Sequence, residues 1–545
     1  MNLAVLADQH PSGDRALYAE GRWHTWGEVR RRAAAVANEL TDLEVSSGDR
    51  VAIIWPTSVD FVVAYLGVLA VGAVAVPLNP NSPANELGRE LDVVEPVAVL
   101  AGAPVPTPRK VRHVVVPATA IAAAGKAAAK LLAWEAFSGK AQPEDPQGQA
   151  APEADEPGPG PEGQEPGPEL EDHGRGTDGE NFLHPADKEE SDLAVLLFTS
   201  GTAGEPKAAM LTHGNLMGNL RQMLGIPEIL RADDVGLVAL PLFHVFGLNV
   251  ALGLSLATGA ALVLDTRFDA AGTLRQVHEL GVTTLLGVPT MFGAWADLPD
   301  GDGDGDGDGA SPLAGVRRAI SGAAALDADV ALRFERRYGI EIWQGYGLTE
   351  SSPAVSTSLG TGRNRPGSVG RPLPGVEVQL VDEEGEPVLE GDTGEIWVRG
   401  ENVFAGYWRD AEATAQVLTD DGWLRTGDIG VIGEEGDLFV VDRSKDLVIV
   451  SGFNVFPAEV ERVVTSIPGV AEVAVIGRPD PGTGEAVEAV IVVEPGAEVN
   501  EELVRAYCAA NLTRYKCPTS IRFVAELPRG LVGKALRRAL RDQPA

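Results

Sequence analysis

Apolar positions along the first hundred residues form short continuous runs, separated by longer segments with helical spacing. Residues 51–54 and 73–77 are runs of this kind, typical of buried strands, and residues 59–71 between them have the length of a helix. Thr25 precedes another helical segment that reaches Leu40, and threonine is a common residue at a helix start. Buried strands that alternate with helices predict a largely parallel sheet covered on both faces.

Similar patterns continue along the rest of the chain. Residues 193–198 predict a further buried strand, and a helix that ends at Gly339 leads into a short strand. Many short strands with turn signals follow, which predicts a small β subdomain. We therefore predict an α/β fold. A large N-terminal domain, residues 1–444, contains doubly wound mixed sheets plus the β subdomain, and a small α+β C-terminal domain occupies residues 445–545.

Two low-complexity stretches interrupt these patterns. Residues 142–190 are mostly Pro, Gly, Glu and Asp, and so polar a segment cannot bury enough surface to offset its ordering entropy, which predicts disorder. A role in recruiting a partner stays open for this acidic insert. Residues 301–309 alternate Gly and Asp. Their spacing fits neither known calcium-binding repeat, so we expect a solvated loop there.

Composition narrows the class of protein and its setting. The formal net charge of −35 argues against nucleic acid as a partner. The two cysteines, Cys508 and Cys517, fit no zinc spacing and form no disulfide framework, so we expect a cytoplasmic protein. Residues 1–15 lack the pattern of a signal peptide. Two apolar stretches, 61–76 and 237–264, are short or interrupted for membrane spans, so each predicts a buried helix followed by a buried strand.

The stretch with the strongest chemical signal is TSGTAGEPK, residues 199–207, directly after the predicted strand 193–198. Glycines allow a tight turn whose backbone N–H groups can face an anion, and the hydroxyls and Lys207 add donors. The stretch is not the common nucleotide-binding loop, because Pro206 precedes the lysine and no Ser or Thr follows it. A polyphosphate is the expected ligand, although the stretch alone could be a surface loop.

Four other stretches add the parts of a nucleotide site. His244 lies among aromatic residues and could line a pocket or be a core histidine. Small residues around Gly322 would let a flat ring lie against the backbone. Tyr346 offers a face for stacking, and Glu350 offers a carboxylate that could reach a polyphosphate through Mg²⁺. Asp428, in RTGD, could accept from ribose hydroxyls or could be a turn residue.

Together these motifs resemble those of the adenylate-forming superfamily, which includes acyl-CoA synthetases, plant coumarate ligases, luciferases and peptide-synthetase adenylation domains. TSGTAGEPK, PLFHVFG, YGLTE, RTGD, DRSKDLVIVSGFNVFPAEVE and PRGLVGKALRR occur in the family's order. The resemblance covers almost the whole chain, apart from the acidic insert and the Gly-Asp run. It implies a ligase that uses ATP, Mg²⁺ and coenzyme A to convert a carboxylic acid, through acyl-AMP, into acyl-CoA.

Medium- or long-chain fatty acids are the expected substrates. Aryl acids such as coumarate, or transfer of the acyl group to a carrier protein, are the alternatives. A non-catalytic nucleotide or acyl binder is a further alternative, which the joint presence of Glu350, Asp428, Arg443 and Lys534 disfavours. A homodimer and a peripheral membrane contact stay open.

The resemblance also implies roles for individual residues. The catalytic group would include Lys534, Glu350, Thr199 and His244, with Glu350 as the Mg²⁺ ligand and Lys445 as a hinge that turns the small domain between two half-reactions. The acyl pocket would include Phe243, His244 and Asn249, and the CoA tunnel Gly452 and Phe453. The residues implied to bind ATP are Thr199, Ser200, Gly201, Thr202, Ala203, Gly204, Lys207, Gly322, Ala323, Ala324, Tyr346, Gly347, Thr349, Asp428 and Arg443.

Overall fold

The computed structural model describes residues 1–103, 105, 111–116, 131–133, 183–200, 206–227, 229–299, 311–324, 326, 328–361, 364–365, 367–382, 385–389, 391–443, 448–455, 457–494, 496–527 and 540. The side chains of residues 131–133, 200, 441–443, 454 and 458 fall outside this description. So do several predicted features: the loop residues Gly201 to Gly204, most of the acidic insert, the Gly-Asp run, the hinge Lys445 and the catalytic Lys534.

The first sheet contains the strands predicted near the start of the chain. The described strands lie in the order Leu131–Ala133, His113–Val116, Ala98–Ala101, Arg50–Ile54, Val74–Pro77, Leu193–Ser200 and Pro206–Thr212. They are parallel except for the last pair, which flanks the glycine-rich turn. Val51 and Ile53 pack into one hydrophobic cluster and Ala52 and Ile54 into another, so both faces of the sheet are buried.

The second sheet changes from parallel to antiparallel along its width. Its described strands lie in the order Glu377–Val381, Gly394–Arg399, Leu424–Ile432, Leu438–Arg443, Ser368–Pro372, Ala354–Thr357, Ile342–Gly347, Arg318–Ser321, Thr284–Gly287, Val235–Val238, Ala261–Leu264, Arg15–Ala19 and Arg22–Thr25. The change occurs at Ile342–Gly347, which pairs parallel on one side and antiparallel on the other. The strands predicted as a β subdomain continue this sheet, because Ala354–Thr357 pairs with Ile342–Gly347 on one side and with Ser368–Pro372 on the other.

Helices cover these sheets, and the first begins where the sequence predicts. The Thr25 side chain accepts a hydrogen bond from the Glu28 N–H and caps the first helix. The described α-helices are Trp26–Asp42, Val59–Ala70, Ala84–Val94, His213–Leu224, Leu254–Thr258, Ala270–Leu280, Pro289–Ala296, Ala328–Tyr338, Ala411–Val417, Pro457–Thr465 and Glu501–Asn511. Short 3₁₀ turns lie at Leu3–Gln9, Thr349–Ser351 and Arg514–Lys516, and a π-helix at Phe246–Gly253.

Both apolar stretches weighed as membrane spans are buried inside the protein. The first forms the helix Val59–Ala70 and the strand Val74–Pro77, as predicted. The second is more broken than expected, because the π-helix and the short helix Leu254–Thr258 lie between two strands. Over the described ranges, no helix is both long and apolar enough to cross a bilayer.

The C-terminal residues form a third sheet with its own hydrophobic cluster. Its described strands lie in the order Phe453–Val455, Val448–Val450, Gly484–Val493 and Val470–Asp480, and Ser520–Phe523 pairs parallel with Gly484–Val493. Helices Pro457–Thr465 and Glu501–Asn511 supply apolar residues to this cluster. The predicted α+β pattern therefore appears in the expected order, while the boundary at residues 444–445 stays a prediction.

The end of the acidic insert differs from its prediction. Leu183 is buried, and its N–H donates to the Asp8 carboxylate at 2.8 Å. The Ala186 N–H donates to the Ala70 carbonyl, and the Ala186 carbonyl accepts from the Asn2 side chain. The predicted disorder therefore does not extend to residues 183–190, because these contacts hold them against the first helices.

A buried carboxylate in the third sheet provides a stability prediction. Glu488 is 0% exposed and accepts from Arg478 at 2.6 Å, with Arg522 3.3 Å away. Replacing Glu488 with Gln removes the buried carboxylate that faces both guanidinium groups, so we expect this sheet to lose about 3 kcal/mol of stability. Hydrogen exchange of the strand Gly484–Val493 measures the loss. Unchanged exchange rates would show that the ion pairs do not stabilise the sheet.

Candidate active site

A cavity of about 1070 Å³ lies where the two large sheets and the C-terminal residues meet. Pro77, Leu286, Ser321 and Tyr346 line it, and each stands at or near the carboxyl end of a strand. Parallel strands present their carboxyl ends at one edge of a sheet, which is where α/β proteins bind ligands. The cavity is therefore the candidate site.

Most of the described residues predicted to form the site line this cavity. These are Thr199, Lys207, Phe243, His244, Gly322, Ala323, Tyr346, Gly347, Thr349, Glu350, Asp428 and Gly452. Ala324, Asn249 and Phe453 are described but do not line it. For Ser200 and Arg443 only the backbone is described, and Gly201, Thr202, Ala203, Gly204, Lys445 and Lys534 lie outside the described residues.

A short hydrogen bond joins two of the predicted nucleotide-binding residues. The Tyr346 hydroxyl donates to the Asp428 carboxylate at 2.6 Å, and both side chains are buried at the cavity wall. Asp428 belongs to the strand Leu424–Ile432, where its backbone lies opposite Arg443 of the next strand. Asp428 is therefore a strand residue with an oriented carboxylate, and the alternative interpretation as a simple turn residue is wrong.

The strand backbone just before Asp428 is held by a second carboxylate that the sequence did not single out. Gly427 has a φ of +72°, a left-handed conformation that favours glycine, and its N–H donates to Glu395 at 2.9 Å. Glu395 also accepts from the Trp397 indole and lines the cavity. These contacts fix the direction in which the strand presents Asp428.

Glu350 is held by a tyrosine that sequence reasoning missed. The Tyr407 hydroxyl donates to Glu350 Oε1 at 2.7 Å, and the Lys207 ammonium lies 5.2 Å from the centre of the Tyr407 ring. The Thr199 side chain also hydrogen-bonds to Tyr407. Burial, and then the Glu350 charge, raise the pKa of Tyr407 well above its usual value, so the hydroxyl stays protonated and remains a donor.

Tyr407 reaches this place because its segment runs alongside the strand Pro206–Thr212. Backbone hydrogen bonds join Met210 to Gly406 and Ala405, and Trp408 to Ala208. The Phe404 N–H in turn donates to the Glu350 carbonyl at 2.9 Å. The only local signal for Tyr407 is a glycine–tyrosine pair before a capped helix, and that signal does not identify a partner 57 residues away.

The donor set around Glu350 suits a divalent cation only when a bound substrate supplies further oxygen ligands. In the described ranges, no three His, Cys, Asp or Glu side chains gather into a metal cage. Magnesium commonly keeps several waters and binds one or two carboxylates together with substrate phosphates. One oriented carboxylate, Glu350, beside Lys207 and Thr199 fits that type of site.

The far side of the cavity is formed by His244 and the C-terminal residues. The His244 ring meets the Phe453 ring edge-on, with centres 5.6 Å apart, and Phe453 stacks on Tyr515 at 4.4 Å. Gly452 has a φ of +80°, and a Cβ atom there would lie 2.9 Å from Val288. Phe453 thus supports the cavity wall from behind, and Gly452 permits the close approach.

Two predictions about the cavity wall have different outcomes. Gly322 and Ala323 line the wall, and a Cβ atom on Gly322 would be 3.1 Å from the Phe246 ring, while their role in bracketing adenine stays a prediction. Asn249, predicted for the acyl pocket, is 1% exposed, and its amide donates to the carbonyls of Ser352 at 2.7 Å and Leu216 at 3.3 Å. Asn249 instead ties the π-helix to the YGLTE turn.

Comparison with known proteins identifies the family. The model of the AMP-binding enzyme family matches residues 3–408, and that of the AMP-binding enzyme C-terminal domain matches residues 459–534. The chain belongs to the AMP-binding, adenylate-forming enzymes. Within this superfamily it falls in the acyl-CoA synthetase family of AMP-forming ligases.

Relatives in this family act on different acids. A long-chain-fatty-acid–CoA ligase of Yersinia pestis is 33% identical over 96% of this chain and 90% of its own length. A feruloyl-CoA synthase of Amycolatopsis sp is 35% identical over 95% of this chain and 93% of its own. A long-chain-fatty-acid–CoA ligase of Bacillus subtilis is 36% identical, but the match spans 65% of this chain and 62% of that relative.

The fold is shared with solved ligases. A malonyl-CoA ligase, solved as a ternary product complex with methylmalonyl-CoA and AMP, has a TM-score of 0.74 and 31% identity. The match covers 95% of this chain and 97% of that one. The predicted α/β fold with a large N-terminal and a smaller C-terminal part is confirmed.

Tyr407→Phe tests the contact with Glu350. The variant removes a hydrogen bond to a charged group. We therefore expect the rate at which ATP releases pyrophosphate in the presence of the carboxylic acid substrate to fall about tenfold. Single-turnover kinetics measure the step. Tyr338→Phe is the matched control, because its hydroxyl donates to the Trp295 carbonyl at 2.8 Å and Tyr338 does not line the cavity. Equal rates for Tyr407→Phe and the parent would contradict the assigned role.

The pH behaviour of His244 provides a second test. Its ring borders the cavity but lies deep in the protein, and burial lowers its pKa from 6.5 to about 4. Because the folded value is the lower one, acidification below 6.5 protonates the unfolded chain first and reduces stability. Histidine NMR should show one ring, absent from His244→Gln, that stays neutral at pH 5. A midpoint near 6.5 for that ring would contradict this environment.

Proposed function

We propose that the protein is an ATP-dependent acyl-CoA ligase that activates a medium- or long-chain fatty acid as acyl-AMP. The acyl group then passes to coenzyme A, and AMP and pyrophosphate are released. The observation that carries the proposal is that apolar side chains and the groups suited to a nucleotide line one cavity.

The apolar wall favours an acid with an uncharged tail. It is formed by the end of the helix His213–Leu224 and the residues that follow it, the π-helix, the start of the helix Leu254–Thr258 and the ends of two central strands. The apolar side chains are those of Met223, Ile229, Leu230, Val250, Leu254, Leu286 and Ile320. None of these side chains can pair with a second carboxylate, and burying an unpaired charge is costly. A volume of about 1070 Å³ suits a nucleotide joined to an extended chain.

Charge explains the first half-reaction. The carboxylate of the acid must approach the α-phosphate of ATP, and both are anionic, so catalysis requires positioning and neutralisation. Lys207 and the backbone of the glycine-rich turn would bind phosphates, and Tyr346 and Asp428 would orient adenine and ribose. Magnesium, held through Glu350, would supply further positive charge. Lys534, in the C-terminal domain, would bring its ammonium group between the two anions.

The second half-reaction requires a thiol to reach the acyl carbonyl. Gly452 and Val288 approach each other at the cavity wall near His244, which supports this face as the route for the thiol of coenzyme A. The low pKa of His244 keeps its ring neutral at physiological pH, so it adds no charge to the acyl end. A rotation of the C-terminal domain about Lys445 would present to the cavity either the face that carries Lys534 or the face that carries Gly452.

Two alternatives share the same chemistry. An aryl acid is favoured by the feruloyl-CoA synthase relative and by Phe243 and Phe246 at the cavity. In the second alternative, a carrier protein accepts the acyl group in place of coenzyme A. A cytoplasmic setting and a homodimer remain predictions.

A substrate panel tests the proposal. Purified protein is mixed with ATP, Mg²⁺, coenzyme A and one of octanoate, laurate, palmitate, ferulate or malonate, and both pyrophosphate and acyl-CoA are measured. We expect equal amounts of both products with the fatty acids and neither with malonate. Glu350→Gln serves as the inactive control. Acyl-CoA from ferulate alone would select the aryl alternative, and pyrophosphate without acyl-CoA would select a carrier protein.

A further inference from the structure

A buried lysine joins the C-terminal residues to the large N-terminal part. The Lys516 ammonium lies 3.0 Å from Glu86 Oε1 and 3.0 Å from Glu459 Oε1. Glu86 belongs to the helix Ala84–Val94, beside the first sheet, whereas Glu459 belongs to the C-terminal helix Pro457–Thr465. All three residues are less than 10% exposed. The ammonium group therefore bridges two parts of the chain away from solvent.

The other oxygen of Glu86 is also bound by a C-terminal residue. The Thr513 hydroxyl donates to Glu86 Oε2 at 2.7 Å, and it lies 3.1 Å from the Ser82 hydroxyl. We call Glu86, Glu459, Thr513 and Lys516 the Lys516 cluster. We call the boundary between the helix Ala84–Val94 and the C-terminal residues the seam. Other contacts across the seam, such as those of Asn85 with Ala510 and Asn511, are more exposed. Exposed hydrogen bonds contribute less than buried ones between charges.

The Lys516 cluster is directly connected to the wall of the cavity. Tyr515, the preceding residue, stacks on Phe453, and Phe453 meets the His244 ring. Phe453 follows Gly452, which approaches Val288. Both Lys516 and Glu459 themselves line the cavity. A shift of Lys516 away from Glu86 would thus move Tyr515, Phe453 and Gly452 away from His244.

The close approach of Glu86 and Glu459 depends on the positive charge of Lys516. Burial by itself would lower the pKa of Lys516, but the surrounding negative groups outweigh that effect and raise it, so the ammonium stays charged. Glu90 lies buried nearby, and burial together with the Glu86 charge raises its pKa to about 8. Without the lysine, Glu86 and Glu459 would face each other uncompensated in a medium of low polarity, which disfavours the seam.

We propose that Lys516 is a positioning residue for thioester formation, because its contacts with Glu86 and Glu459 hold the C-terminal residues where Gly452 faces His244. The proposal rests on the proposed ligase function. Adenylate formation, which would need Lys534 rather than Gly452 at the cavity, does not require the Lys516 cluster.

Two half-reactions of the full-length protein test the proposal. Fatty-acid-dependent exchange of pyrophosphate into ATP reports adenylation, and acyl-CoA formation from preformed acyl-AMP reports the second step. For Lys516→Met we expect the second step to slow at least about tenfold, with adenylation within about twofold of the parent. Glu86→Gln, on the other side of the seam, should show the same selectivity. Loss of both steps in equal measure in both variants would overturn the proposal.

Arg478→Met is the matched control. It removes the half-buried cation that pairs with the buried Glu488 inside the third sheet, without crossing the seam. We expect it to reduce stability but not to favour one half-reaction over the other. A selective loss of the thioester step in Arg478→Met would show that general destabilisation produces the effect, and it would also contradict the proposal.

A cross-linking rate supplies a readout that does not depend on activity. Asn85 and Asn511 meet across the seam, so Asn85→Cys and Asn511→Cys, in a Cys508→Ala and Cys517→Ser background, should form a disulfide under mild oxidation. Adding Lys516→Met should slow its formation about tenfold if the cluster holds the seam. An unchanged rate would overturn the proposal. A parent protein without ligase activity would contradict the proposed function, while the cross-linking comparison would still test the seam.

Discussion

The hydrogen bond between Tyr346 and Asp428 joins the two halves of the second sheet at the point where a ligand would lie. Tyr346 lies near the end of the strand Ile342–Gly347, where the parallel part of the sheet ends. Asp428 lies in the strand Leu424–Ile432, in the antiparallel part. Because the bond is short and buried, each side chain orients the other before any ligand arrives. Preorganisation of this kind lowers the cost of binding, since the groups need not reorder around the ligand.

Around this bond, residues from distant segments form a polar end and an apolar end of one cavity. Lys207 and Glu350 are brought together by Tyr407, which supplies a polar end suited to phosphates. The π-helix and the central strands supply the apolar end. His244 stands on the side of the C-terminal residues, where its neutral ring meets Phe453 of the third sheet. The family relationship and this division of surfaces point to the same chemistry.

Local pattern was sufficient for the elements but not for the contacts between them. Strands such as Arg50–Ile54 were predictable because an apolar run buried on both faces leaves a clear signal, and the Thr25 cap is a local interaction. Tyr407 was not predictable, since its partner Glu350 lies 57 residues away, and Lys516 lies 430 residues from Glu86. Asn249 was misassigned because a polar residue in an apolar run can satisfy backbone carbonyls as well as line a pocket.

We propose that one cavity holds a nucleotide and an apolar acyl group end to end. Calorimetric binding of a non-hydrolysable acyl-sulfamoyl adenosine tests it most directly, because that ligand fills both ends at once. We expect one site per chain, with affinity reduced at least about tenfold in Asp428→Ala, which removes the buried carboxylate acceptor. Absence of binding to the parent, or equal affinity for the parent and Asp428→Ala, would contradict it.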